Sequence, residues 1–362
     1  MTDVLFLNST LTLSMQVLAN NCKALHISTT FLTSEAPDYL EKEVLKQKPT
    51  ILAISWNFNE TIYKFLCTSL NVIKKALPDI KIIIHSYGAS YDWKNLSKLE
   101  TIDYIVGGEP DKALPELCSK ILKKENIEKL AYLNNPLPSL EDYDYENNWL
   151  LYNGMLLIAT SRNCIYWNNR CWYCPCYKLP YRQLNLDKII TGLKHNVDFT
   201  KVKRITIIDA ETLPTTINRI YQEFHKPIHA FVLFKDLMKL SPDLKNSNSN
   251  FIFGSNIERE GLHTNVAYKP EVIDLVLDKV KDNLTGNCIS TTILVTSKQD
   301  EENHKELLNV FSKYSFVNPN FCYYRKTPRD FSGEEISENI YLEYKRNPYV
   351  WFDCVTNMED AL

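Results

Sequence analysis

Short apolar runs alternate with amphipathic segments along the first 122 residues of the chain. The apolar runs predict buried strands at residues 4–7, 24–27, 51–56, 82–85 and 104–106. Between them, apolar residues three or four apart predict helices at residues 13–21, 39–45, 60–77 and 111–122. Strands joined by crossover helices indicate a parallel sheet covered on both faces. We therefore expect an α/β fold that begins with a doubly wound, Rossmann-like domain.

An acidic stretch with two prolines, residues 134–146, interrupts this pattern. Polar segments that contain proline are typical of the linkers between domains. We therefore predict a first domain at residues 1–133, a linker at residues 134–150 and a second domain at residues 151–362.

A second series of strands and helices follows the linker. Strands are predicted at residues 156–160, 204–208, 229–234, 250–254, 290–295 and 317–323. Helices are predicted at residues 186–195, 215–224, 235–239, 270–281 and 300–314. Six such strands fit a partial (β/α)6-type barrel with a short C-terminal extension better than a second flat sheet. Reactive groups in barrels lie at the carboxyl ends of the strands, so the segment after residue 160 is the first candidate site.

The balance of acidic and basic residues argues against nucleic acid and membranes as partners. The chain has 41 basic and 44 acidic residues, a net charge of −3 and a pI near 6.2. This composition offers no basic footprint for nucleic acid or for an anionic membrane surface. The sequence has no apolar run of about 18 residues, and its first residues predict a buried strand rather than a leader. We therefore expect a cytoplasmic protein without nucleic-acid or membrane partners.

Four of the ten cysteines, Cys164, Cys171, Cys174 and Cys176, lie close together just after the first predicted strand of the second domain. In a reducing compartment such a group of thiols indicates a metal or iron–sulfur site rather than disulfides. A structural zinc site is one alternative, although the Cys-Pro-Cys spacing is tighter than zinc sites commonly use. A catalytic cysteine–histidine pair is another, and the loop itself contains no histidine. The other six cysteines are scattered singly and are expected in the core.

In its context this loop resembles the radical S-adenosylmethionine superfamily, and in particular the subgroup with an N-terminal cobalamin-binding-type domain. In that family a strand ending in a Thr-Ser-Arg-Gly-Cys-like signature leads into three cysteines, with an aromatic residue before the last. Here residues 160–164 lead to Cys171 and then to Tyr173 and Cys174. Residues 181–190, 207–211, 253–258 and 269–273 are similar to later family segments, and residues 103–109 are similar to the end of the cobalamin-domain pattern.

The resemblance implies a set of cofactor sites. Cys164, Cys171 and Cys174 would bind three irons of a 4Fe–4S cluster and leave the fourth iron open for S-adenosylmethionine. Contacts to S-adenosylmethionine are implied for Tyr173, Asp209, Glu211, Gly254 and Glu258. Contacts to cobalamin, in the alternative that this cofactor is bound, are implied for Gly107, Gly108 and Glu109.

The implied activity is reductive cleavage of S-adenosylmethionine followed by modification of an unactivated carbon in a peptide or small-molecule substrate. A flavodoxin or ferredoxin would donate the electron. Cobalamin-dependent methylation is one outcome, and radical chemistry without cobalamin is another. A degenerate member whose cluster is structural is the non-catalytic alternative.

The sequence also departs from the family pattern. Six residues separate the first two cysteines, where the family commonly has three, and Cys176 adds a fourth thiol. Asn163 and the pair His85–Ser86 stand at positions where the subgroup often has glycine. Simpler roles stay open for several residues: Asp209 and Glu211 as caps of the helix predicted near residue 215, Glu258 with Arg259 as a solvated ion pair, and Tyr173 as a packing residue.

Overall fold

The computed structural model describes residues 2–8, 11–34, 36–56, 60–127, 131–132, 139–141, 143–166, 179–255, 268–295, 305–325 and 351–354. The chain divides into two compact units, residues 1–148 and residues 149–362. None of the helices in these ranges is long and apolar enough to span a membrane.

The first unit is built on a six-stranded sheet whose strand pairs are all parallel. The order across the sheet is β2-β1-β3-β4-β5-β6. Strand β2 therefore lies on one side of β1, and β3 and the later strands lie on the other side. The strands are β1 (Val4–Asn8), β2 (Thr29–Thr33), β3 (Ile51–Ser55), β4 (Lys81–Ser86), β5 (Tyr104–Gly107) and β6 (Ala131–Tyr132). The helices are α1 (Leu13–Ala24), α2 (Pro37–Gln47), α3 (Glu60–Thr68), α4 (Leu70–Ala76), α5 (Tyr87–Leu96) and α6 (Ala113–Leu122).

Both faces of this sheet are buried, and its inner strands are apolar except near their ends. The side chains of Val4–Asn8 and Ile51–Ser55 are all buried. One core cluster, around Leu5 and Phe65, forms on one face, and a second, around Phe6 and Leu18, forms on the other. This two-sided burial is the packing expected of a doubly wound parallel sheet.

Several elements of the first unit differ from the sequence-based prediction, among them the short strand β6, which was not predicted. The run at residues 24–27 does not form a strand, because α1 continues to Ala24 and β2 begins only at Thr29. The half-exposed edge strand β2 has threonine at three of its five positions instead of a continuous apolar run, so periodicity alone missed it. Helix α5 starts directly after β4 in a segment whose polar residues resemble a loop. The helix predicted at residues 60–77 is divided at Ser69 into α3 and α4.

The second unit contains an eight-stranded sheet in the order β16-β15-β14-β13-β12-β11-β8-β7. The strands are β7 (Trp149–Tyr152), β8 (Met155–Ile158), β11 (Arg204–Ile207), β12 (Ile228–Phe231), β13 (Asn250–Ser255), β14 (Cys288–Val295), β15 (Val317–Arg325) and β16 (Trp351–Cys354). The six inner strands pair in parallel, while β7 and β16 are antiparallel at the two edges. Strand β7 begins within the predicted linker, at Trp149.

The connecting helices follow the predicted alternation. They are α7 (Leu186–Asn196), α8 (Pro214–Phe224), α9 (Pro270–Val280) and α10 (Lys305–Phe311), and a 3-10 helix, Phe234–Lys239, follows β12. Local signals explain the starts of these helices. The Asn185 side chain accepts a hydrogen bond from Lys188 N at 3.0 Å before α7, and proline opens α8 and α9. The predicted fold class, a doubly wound domain followed by a partial (β/α)6-type barrel, is confirmed.

Candidate functional site

The base of the cysteine loop is a short antiparallel clasp that the sequence analysis did not predict. Strand β9 (Ser161–Arg162), just beyond β8, pairs with β10 (Arg182–Gln183). The carbonyl of Thr160 accepts hydrogen bonds from Leu184 N at 2.9 Å and from Gln183 Nε2 at 2.8 Å. The loop therefore leaves the barrel and returns to it at one point. The structure describes its first limb to residue 166 and its second limb from residue 179.

Asn163 shapes the first turn of the loop. Its φ is +65°, a left-handed conformation that asparagine adopts more easily than most residues with a side chain. Its Nδ2 donates to the carbonyl of Pro180 at 3.0 Å, which adds a cross-link at the base of the loop. The position where the related subgroup often has glycine thus keeps a glycine-like backbone, and the asparagine side chain adds a hydrogen bond.

Cys164 follows this turn and is half-buried. Its Sγ accepts a hydrogen bond from Tyr166 N at 3.4 Å. Hydrogen bonds to sulfur are among the features that tune iron–sulfur clusters. Burial raises the pKa of Tyr181, on the returning limb, and the charges of Asp209 and Cys164 raise it further. Cys164 therefore interacts with Tyr166 on its own limb through this hydrogen bond and with Tyr181 on the returning limb through its charge.

Asp209 lies just past the end of β11 and is 5% exposed. Its Oδ1 accepts hydrogen bonds from Thr160 N at 2.8 Å and from Ser161 N at 3.0 Å, and its Oδ2 accepts the Thr160 hydroxyl. Burial raises the pKa of this carboxyl, against the hydrogen bonds that lower it. Helix α8 is capped by Leu213 without a side-chain hydrogen bond, so the interpretation of Asp209 as its cap was wrong.

Glu211 belongs to a group of side chains beyond the carboxyl ends of several barrel strands. Burial raises the pKa of Tyr268, which follows β13, and the nearby acidic groups Tyr166, Glu211 and Asp236 raise it further. The Tyr268 ring packs on Phe234 with centroids 5.1 Å apart. Sequence analysis selected Glu211 and missed Tyr166, Asp236 and Tyr268. Asp236 lies just after a predicted strand, which was an available signal, whereas Tyr268 lies shortly before a predicted helix.

The remaining candidates of the second unit divide into two groups. Gly254 lies near the end of β13, half-exposed and paired with Thr292 of β14. The predictions for Tyr173, Glu258, Cys171 and Cys174 concern residues outside the described ranges, as does the role of Cys176. Within the described ranges, which include only Cys164 of the loop cysteines, no group of three or more metal-ligating side chains occurs.

In the first unit, a row of polar side chains lies near the carboxyl ends of neighbouring strands. Asn8 and Ser55 end β1 and β3, and His85 is the penultimate residue of β4. All three are at most 4% exposed. Ser55 and His85 are direct register partners. Burial lowers the pKa of His85 to about 3, so this imidazole is neutral at physiological pH. The ligand sites of doubly wound sheets lie at this edge, where the strand order reverses.

The turns after β4 and β5 are tightly built. Ser86 has a φ of +102°, and its hydroxyl donates to the carbonyl of Trp56. Gly108 has a φ of +68°, and its N–H donates to Ser90 Oγ at 2.5 Å. The predicted cobalamin contacts Gly107, Gly108 and Glu109 are all buried at this edge.

Comparison with solved structures identifies proteins of the same architecture. TsrM, a radical S-adenosylmethionine methyltransferase from Kitasatospora setae solved with its tryptophan substrate and an S-adenosylmethionine analogue, aligns over 91% of this chain and 76% of its own, with a TM-score of 0.65 and 13% identity. The chain has the fold of this enzyme. OxsB, a cobalamin-dependent S-adenosylmethionine radical enzyme solved with aqua-cobalamin and S-adenosylmethionine, aligns over 94% of this chain with a TM-score of 0.59 and 16% identity.

The chain spans 56% of the length of OxsB. The structure of OxsB with aqua-cobalamin alone aligns with a TM-score of 0.61 and 16% identity. No family model matches the chain, and no curated protein matches its sequence. The resemblance predicted from the cysteine loop and the strand pattern is therefore confirmed at the level of the fold.

Proposed function

We propose that the chain is a radical S-adenosylmethionine enzyme. The observation that carries this proposal is the position of Cys164 and its loop at the carboxyl end of β8, the first inner strand of a barrel with the fold of TsrM. Active sites of barrels lie at this end of the strands. A thiolate-rich loop in that position suits an iron–sulfur cluster better than it suits a disulfide.

The donor set fits a 4Fe–4S cluster. Cys164, Cys171 and Cys174 would hold three irons, and thiolates are the protein ligands that such clusters use. When bound, the cluster supplies the electron for reductive cleavage of S-adenosylmethionine. The chain contributes a fixed loop base, through the clasp and Asp209, and a half-buried first thiol. Glu211 would attract a cationic group beyond the strand ends.

We further propose that the first unit binds cobalamin and that the reaction is a methylation or related modification at carbon. Three features support this assignment: the fold shared with OxsB, the row of buried polar residues at the sheet edge, and the glycine-like backbone kept at Ser86. Gly107, Gly108 and Glu109 would hold the cofactor. The substrate would be a peptide or small molecule, and a flavodoxin or ferredoxin would supply electrons.

The radical chemistry is tested on protein that is purified and reconstituted without oxygen. We expect about four irons per chain, the iron content of one 4Fe–4S cluster. We also expect an electron paramagnetic resonance signal after reduction and 5′-deoxyadenosine when S-adenosylmethionine is added. Cys171→Ala should abolish the resonance signal and the formation of 5′-deoxyadenosine. Cys67→Ala, at an exposed position of α3, should leave both unchanged. Bound zinc, or a cluster that does not cleave S-adenosylmethionine, would contradict the proposal.

Cobalamin binding is tested separately. Protein made with hydroxocobalamin should retain about one cofactor per chain after gel filtration, visible in its absorption spectrum. Protein that retains none and still forms 5′-deoxyadenosine would remove cobalamin from the proposal and favour the cobalamin-independent alternative. Loss of 5′-deoxyadenosine formation with an intact cluster would favour the non-catalytic alternative.

A further inference from the structure

We infer that Asp209 is a positioning residue for the cysteine loop, fixing the peptide from which both limbs of the loop start. This inference rests on the proposed function, because the loop that Asp209 holds is the one proposed to bind the cluster. The resemblance had implied a different role, a contact with S-adenosylmethionine. The hydrogen bonds of Asp209 instead connect β11 to the segment that leads into Cys164.

The carboxylate bridges two neighbouring strands where their ladder ends. Ile207 is the register partner of Ile158, and Ile208 N still donates to the Ile158 carbonyl at 2.9 Å. Beyond this point the N–H groups of Thr160 and Ser161 have no strand partner on that side, and Asp209 Oδ1 accepts both. Thr160 and Ser161 are 1% and 5% exposed, so without Asp209 these two donors would be buried away from water.

The same peptide carries the second limb of the loop. The carbonyl of Thr160 accepts from Leu184 N and from Gln183 Nε2, at 2.9 and 2.8 Å. Asp209 therefore holds the N–H and hydroxyl of Thr160, while the returning strand holds its carbonyl. Cys164 lies four residues after Thr160, so displacement of this peptide displaces the first thiol.

The occupancy of the carboxylate favours positioning over a contact with S-adenosylmethionine. A carboxylate offers about four acceptor sites, and three donors from Thr160 and Ser161 already use Asp209. The two roles depend on different properties of the side chain. A contact with a cationic ligand needs the negative charge of the carboxylate. Positioning of the loop needs an oxygen that accepts hydrogen bonds from the N–H groups of Thr160 and Ser161.

Asn and Ala variants separate these two properties. In Asp209→Asn the remaining oxygen can face both N–H groups, and the Thr160 hydroxyl can rotate to accept from the new amide. In Asp209→Ala all three hydrogen bonds are lost and two buried donors have no partner. Asp274→Ala is the control. It removes a carboxylate of helix α9 that accepts hydrogen bonds from Lys313 and Tyr314, neither of which belongs to the loop.

The first readout needs no cofactor. Hydrogen exchange of peptides covering residues 156–166 should be about tenfold faster in apo Asp209→Ala, and near the wild-type rate in Asp209→Asn and Asp274→Ala. The second readout uses reconstituted protein. Asp209→Ala should show an altered or diminished resonance signal of the cluster and about tenfold less 5′-deoxyadenosine, and Asp209→Asn should restore both.

Two results would overturn the inference. In one, the exchange rate and cluster signal of Asp209→Ala stay at the wild-type level. In the other, Asp209→Asn loses as much activity as Asp209→Ala, with an unchanged cluster signal and a raised KM for S-adenosylmethionine. A wild-type chain that assembles no cluster would instead refute the proposed function, and the exchange readout would still decide whether Asp209 holds the loop.

Discussion

Gly88 provides a strict test of the packing at the carboxyl edge of the first sheet. It lies in the first turn of α5, where a Cβ would stand 2.1 Å from the carbonyl oxygen of Trp56 and 3.0 Å from its carbonyl carbon. That carbonyl is fixed, because it accepts the Ser86 hydroxyl and because Trp56 N donates to the His85 carbonyl at 2.9 Å. Gly88→Ala must therefore move backbone rather than a flexible side-chain end.

Two effects of this substitution oppose each other. Alanine is favoured over glycine within a helix by about 1 kcal/mol. Overpacking a buried site costs about 1–3 kcal/mol, and the upper end applies where backbone has to shift. The clash should therefore prevail, with a net loss of about 1–2 kcal/mol in the free energy of unfolding.

Hydrogen exchange of peptides covering β3 and β4 measures this loss within the first unit, without assuming that both units unfold together. A loss of about 1–2 kcal/mol corresponds to exchange that is roughly five- to thirtyfold faster. Lys94→Ala, at an exposed position of the same helix, should change the stability by less than about 0.5 kcal/mol. Exchange in Gly88→Ala that is equal to or slower than in the wild type would refute the steric reasoning.

Three further predictions concern single side chains. A hydrogen bond with Cys22 and burial raise the pKa of Cys118. Iodoacetamide at pH 8 should therefore label the exposed Cys67 and leave Cys118 unlabelled in peptide mass spectra, and equal labelling would contradict this. Burial lowers the pKa of His85 to about 3, so between about pH 6.5 and 3 only the unfolded chain takes up a proton at this histidine. The free energy of unfolding should therefore fall as the pH drops through that range, and His85→Leu should make this fall shallower in an acid titration. Asn163→Gly keeps the left-handed backbone, so it should retain more iron after reconstitution than Asn163→Val, and the reverse order would exclude the backbone argument.

The elements predicted correctly are those whose signal is local. Strands β1, β3, β4 and β5 are apolar runs with polar residues only near their ends, because a parallel sheet covered on both faces favours apolar side chains on both sides of each strand. The position of the cysteine loop followed from the same reasoning, since its residues come directly after such a run. Elements at the margins were missed: the edge strands β2, β6, β7 and β16 and the polar helix α5. Their burial depends on what packs beside them, which no window of the sequence contains.

The sequence by itself determined the alternation of strands and helices and the presence of a thiol-rich loop after the first barrel strand. Only the tertiary structure decided the role of Asp209, because its partners Thr160 and Ser161 lie 49 and 48 residues earlier in the chain. Only the structure decided that Ser86 and Asn163 keep positive φ angles without being glycine, since their hydrogen bonds to Trp56 and Pro180 are non-local. Periodicity records which face of an element is buried, whereas hydrogen-bond partners depend on which elements become neighbours when the sheet forms.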